Sequence, residues 1–168
     1  MRTASKLSLA VLALTLVGAT VAQAQVSANI NATALVQTPL TVTGAAALDF
    51  QNVFPGLAKA IAPTAATAGR FTVGGQLNAE VNITFTLPTN LVNGANNLPI
   101  GTWTGGRNTA NNQAAQTAIT PSGTTTTRLD AVTGALYIWL GATVTPTVTQ
   151  VAGTYTAPVT MTVAYTGN

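Results

Sequence analysis

The chain contains no cysteine and no histidine. The commonest proton-transferring side chain and the thiol nucleophile are therefore missing, as are the soft ligands that hold structural or catalytic zinc. Disulfides cannot contribute to stability, so burial and strand pairing must. Charge is nearly as scarce: 6 lysines and arginines and 3 aspartates and glutamates make up 5% of 168 residues. No basic run exists to follow a phosphate backbone, which argues against nucleic acid as a partner. The three acids, Asp49, Glu80 and Asp130, lie far apart in the chain, whereas a hard cation needs several oxygens close together. Two of them could form a glycosidase pair, but each is read as an isolated turn or surface carboxylate. A non-enzymatic protein with no cofactor and no metal is expected.

What is present begins with a basic, apolar, small-residue series. Arg2 and Lys6 precede the apolar run Leu7 to Gly18, and Ala22-Gln23-Ala24 supplies a small-x-small site. This is the pattern of a signal peptide over residues 1–24, removed after Ala24. Its apolar run is too short to span a bilayer. The expected product is exported, with no membrane span after cleavage. Its bases, Lys59, Arg70, Arg107 and Arg128, against the three acids give a net charge of +1. Charged side chains normally keep exposed strands and faces from sticking together. A secreted chain with so few is expected either to be covered by neighbours or to associate.

Alternation of period two recurs along the rest. It is found at Val26–Val36, Leu48–Val53, Arg70–Gly74, Val81–Leu87, Leu98–Thr104 and Leu136–Val144, and it marks strands. Pro55-Gly56, Gly74-Gly75 and Asn93-Gly94 mark turns. Leu136–Val144 is apolar on both faces and is expected to lie centrally between layers. Residues 57–68 contain Pro63 and read as a loop with at most one helical turn. Residues 105–127, rich in Asn, Gln, Thr and Gly, read as a long surface loop with one short strand near 118–120. Seven to nine strands in one domain, residues 25–168, predict an all-β sandwich, with a closed barrel as the alternative.

The last alternating stretch holds Tyr155, Ala157, Val159, Met161, Val163 and Tyr165. Pro158 lies within it, and proline is confined to edges, strand starts or bulges. An open sheet edge is expected here, where another chain could add a strand. The six alternating residues are the expected acceptor lining. Residues 25–36 are either the domain's own first strand or a donor for a neighbour, with Val26, Ala28, Ile30, Ala32 and Ala34 on the inserted face. Ala152-Gly153-Thr154-Tyr155 reads either as the tyrosine corner of immunoglobulin-like sandwiches or as an ordinary aromatic on a strand. Trp103 and the 105–127 loop suggest the competing reading, a monomeric carbohydrate-binding module.

Leu48-Asp49-Phe50, Pro55-Gly56, the strand ending at Pro88, the segment Leu136 to Ala142, and Ala152-Gly153-Thr154-Tyr155 through Tyr165 occur in this order. In that order the chain resembles the bacterial secreted family catalogued as domain of unknown function 4402. That family is in turn similar to spore coat protein U and chaperone–usher pilin-like domains. The resemblance spans roughly residues 30–165. It implies an incomplete immunoglobulin-like sandwich, a groove beside the final strand, and filling of that groove by the N-terminal extension of the next subunit. It also implies copies of itself or related subunits as partners, a periplasmic chaperone, an outer-membrane usher, and a place in a cell-surface fibre. The cysteine pair of many pilins is absent, and the extension is short.

Overall fold

The computed structural model describes residues 26–167, so the expected signal peptide lies outside the described residues. One unit ends at Leu35 and a second begins at Val36. In the described part of the first, residues 26–35 carry no helix or strand, and every one is exposed. The alternation at 26–36 thus does not make a strand within this chain. An alternating segment needs a ladder partner and a packed face before it is stable.

The second unit is all-β. Its strands are β1 (Thr41–Ala46), β2 (Lys59–Ile61), β3 (Gly69–Gly74), β4 (Glu80–Thr86), β5 (Asn90–Asn93), β6 (Asn96–Asn108), β7 (Thr117–Ile119), β8 (Thr125–Arg128), β9 (Ala135–Val144) and β10 (Thr160–Tyr165). They form two antiparallel sheets. The larger runs β1-β3-β9-β6-β5, with β2 on the end of β9 and β7 on β6; the smaller runs β10-β4-β8. The fold is a β-sandwich, as the periodicity predicts. Among the described residues no helix is long and apolar enough to cross a membrane.

β9 is central, between β3 and β6. Leu136, Ile138 and Leu140 face the smaller sheet and pack with Val73, Val81, Ile83, Leu129 and Met161. A second cluster, around Phe50, Leu98, Ile100 and Val144, fills the other end. On the opposite face of β9, Trp139 is only 2% exposed. The 105–127 stretch accounts for this. It is a largely exposed excursion with one short strand, β7, where one was expected, and it also holds the end of β6, a single 3-10 turn at Gln113–Ala115 and the start of β8. Gly106 is the register partner of Trp139, and the Gln116 side chain lies against it where a Cβ would stand. Gln113 Nε2 anchors the same segment by donating to the carbonyls of Pro63 and Ala65, at 2.7 and 2.8 Å. The glycines that read as loop are instead places where other residues pack onto a strand.

Other expectations need local correction. Leu48–Val53 is not a strand. Asp49 Oδ1 accepts a 2.7 Å bond from the Gln51 N–H, and Gln51 has φ 52°; that side-chain turn breaks extended backbone. Residues 57–68 contain β2 followed by turns. At the Asn93-Gly94 hairpin the central pair is Gly94-Ala95, flanked by the partners Asn93 and Asn96. The final strand is shorter than its alternation. β10 begins at Thr160, while Thr156 exchanges two backbone bonds, of 2.9 and 3.0 Å, with Val92 next to the larger sheet. Pro88 separates β4 from β5 and Pro158 precedes β10. Both segments change sheets at a proline, where a missing N–H costs no ladder bond.

Candidate assembly cleft

β1 is an edge of the larger sheet and β10 an edge of the smaller one. The two neighbour each other along one side of the sandwich. Among the described residues β10 pairs only with β4, leaving its other backbone edge free.

The packing along this side is incomplete. Val42, Val73 and Leu136 lie in one cross-strand row on the core side. Val73 and Leu136 are fully buried, yet Val42 is 40% exposed. In the next such row Gly44 is exposed beside the half-buried Phe71, while Ile138 is fully buried. A core-facing valine left wholly in water forgoes about 1.5–3 kcal/mol relative to full burial, and Val42 forgoes a part of that. A cleft of about 1080 Å³ opens here between residues 44–55 and 150–159, with Phe71, Leu98, Ile100, Trp103 and Leu140 on its floor.

Two local devices shape the cleft. Tyr155 Oη donates to the Val151 carbonyl at 2.7 Å and accepts from Gln150 Nε2 at 2.8 Å. This is the back-bond of a tyrosine corner, and it fixes one wall. On the floor, the β6–β9 register slips between Gly101 and Thr104, so that Thr102 and Trp103 together oppose Ala142. Thr102 sits at φ 48°, a left-handed conformation costly for a β-branched residue. The bulge turns Trp103 inward to pack beside the second core cluster.

Of the six residues expected to line an acceptor groove, Tyr155, Ala157 and Val159 line the cleft. Met161 is buried in the main core, and Val163 and Tyr165 pack against it. Tyr165 Oη donates to the Thr38 carbonyl at 2.6 Å and accepts from the Gln76 N–H at 2.7 Å, closing that end. The expected donor residues Val26, Ala28, Ile30, Ala32 and Ala34 are all exposed. The wall at 44–55 was not foreseen. Its alternation at Leu48–Val53 reads as a strand, yet the backbone from 47 to 55 is irregular, and the bulge that aims Trp103 inward leaves no mark in the sequence.

The acids serve local structure. Asp49 holds its turn, and Glu80 meets Arg128 at 3.6 Å. Asp130 accepts from the Thr133 and Val132 N–H groups and the Thr133 hydroxyl, and those bonds, led by the one from the Thr133 N–H, hold its pKa below the usual 3.8. Among the described residues no three metal-ligating side chains come together. Comparison with protein-family models, curated proteins and solved structures gives no significant match.

Proposed function

We propose that the chain is a structural subunit of a bacterial surface fibre. It is exported, non-enzymatic, immunoglobulin-like and pilin-like, and assembles by donor-strand complementation. The observation that carries this reading is the row Val42–Val73–Leu136, buried at two positions and open at the third, beside the free edge of β10. One added strand would pair with that edge and cover the open core. Residues 26–34 of a second copy have the matching character: alternating, uncharged and exposed. The backbone ladder would supply affinity and the alternate side chains the register. A periplasmic chaperone and an outer-membrane usher would serve such a subunit in transit.

The test separates segment from domain. A version beginning at Val36 keeps Thr38, which Tyr165 requires. It is expected to stay monomeric and to capture a peptide of residues 25–35, with a change in Trp103 fluorescence. The same peptide carrying Ile30→Asp is expected to bind at least tenfold more weakly. A full-length chain that stays monomeric, with no capture of the peptide by the shortened one, would overturn the reading.

Trp103 and Tyr155 in a cleft of about 1080 Å³ favour a second reading, a secreted carbohydrate-binding module. Its mark would be glycan binding by the monomer that is lost in Trp103→Ala and unaffected by removal of residues 25–35.

A further inference from the structure

The two ends of the sandwich differ, and they differ in a complementary way. β9 runs the length of the fold, ten residues from Ala135 to Val144, or about 33 Å. Beyond its C-terminal end, loops 52–59 and 145–151 meet, with the Gly56 N–H donating to the Thr147 carbonyl at 3.0 Å. They expose Phe54, Leu57, Val148 and Val151. Beyond its N-terminal end, loops 75–79 and 130–134 meet, with the Gly75 N–H bonded to the Gly134 carbonyl at 3.0 Å and the Asn78 N–H to the Asp130 carbonyl at 3.2 Å. They expose Leu77 and Val132. Val148 and Val132 are each 82% exposed, at opposite ends of one small domain.

Charge follows the same division. Lys59 is the lone charged residue in loops 52–59, 93–97 and 145–151. At the other end Glu80 and Arg128 neutralise each other at 3.6 Å, leaving Asp130. The two loop clusters thus carry opposite charges, Lys59 at one and Asp130 at the other, while Arg70 and Arg107 lie opposite Trp139 and Ile138 along the sheet and Asp49 lines the cleft. Phe54 and Val151 also line the cleft, whereas the chain enters the domain at Thr38, which is bonded to Gln76 and Tyr165 at the opposite end.

We infer that the apolar end at Phe54, Leu57 and Val148 of one copy docks on the end at Leu77 and Val132 of the next. Lys59 of the first then faces Asp130 of the second. Two different patches meet, so the contact does not close as a two-fold dimer, and it propagates as a filament unless its rotation closes a ring. A copy docked this way has its cleft mouth beside the point where its neighbour's chain enters at Thr38. The inference builds on the fibre reading but uses different residues from the strand exchange.

The absence of cysteine allows a direct test on the full chain. Val148→Cys and Val132→Cys are both exposed substitutions that leave the core untouched. Under mild oxidation the double variant is expected to give a ladder of disulfide-linked species of three or more copies, while neither single variant gives one. Lys59→Gln and Asp130→Asn, the second of which keeps its turn bonds, are each expected to lower the ladder yield about two- to fivefold at low salt. The two together should lower it no further than either alone, because the pair is already broken. A double-cysteine variant that remains monomeric, or single variants that dimerise as fully as the double one, would overturn the inference. The peptide assay reports strand capture alone, since the peptide has neither end. A ladder without peptide capture would remove the donor strand and keep the end-to-end contact, and capture without a ladder would do the reverse.

Discussion

Tyr165 and Thr38, 127 residues apart in the chain, are joined by a 2.6 Å hydrogen bond from the phenol to the backbone carbonyl. The same oxygen accepts from the half-buried Gln76 N–H at 2.7 Å. One hydroxyl thus fastens the entry of the chain, the loop after β3 and the final strand. Tyr165→Phe keeps the ring packing and leaves both backbone groups without this partner. A loss of about 0.5–1.5 kcal/mol is expected, read as a lower urea midpoint with an unchanged slope. An unchanged midpoint would mean that the bond contributes nothing.

Gly106 and Gln116 hold Trp139 out of water. A methyl at position 106 would occupy the space of the Gln116 amide. Gly106→Ala should push that side chain off the strand and uncover the indole. In a Trp103→Phe background, which leaves Trp139 as the sole tryptophan, the emission maximum is expected to shift to the red and iodide quenching to rise. Emission as blue as that of the parent would show that Gln116 can yield without exposing the ring.

Thr102 occupies a left-handed conformation at the bulge that aims Trp103 into the cleft. Glycine adopts that conformation without the side-chain clash. Thr102→Gly is expected to raise stability by up to about 1 kcal/mol, the glycine's greater unfolded-state entropy offsetting part of the relief. Thermal unfolding checks it, and a large fall in Tm would show that the Thr102 side chain contributes more than its strain costs.

Asp130 supplies a pH dependence. Its carboxylate is held below the usual 3.8 by bonds from Thr133 and Val132. A folded-state pKa lower than the unfolded one stabilises fully above the unfolded value, and that stability is lost as the pH falls through the folded value. Asp130→Asn retains an acceptor for the turn and cannot titrate. The stability difference between parent and variant is therefore expected to be constant near neutrality and to shrink below pH 3.8. A difference that grows on acidification would contradict the assignment.

The residues that could be read in advance were those whose periodicity and packing agree. Leu136, Ile138 and Leu140 gave the central strand, and Val81 and Ile83 gave its partner across the core, because alternation and burial coincide there. Tyr155 kept its corner because the back-bond is local, reaching only to Val151. Reading failed where a long-range contact decides. Gly105 and Gly106 look like loop until Ile119 and Gln116 are placed on them. Leu48–Val53 has strand periodicity but is broken by one Asp49 side-chain bond. Of the six alternating residues, Tyr155, Ala157 and Val159 line the cleft and Met161, Val163 and Tyr165 do not, for a related reason. Alternation marks which side chains face inward, but whether something already covers them, as it does Met161 and not Tyr155, depends on the other sheet.

The six register pairs between β10 and β4, from Thr160–Thr86 to Tyr165–Val81, lie along the axis that joins the two ends of the sandwich. A pull applied between those ends would strain this ladder in shear, loading its hydrogen bonds together rather than opening them one after another. A domain with no disulfide would then resist tension through the orientation of its last strand, and the prolines at 88 and 158 mark where that resisting stretch stops.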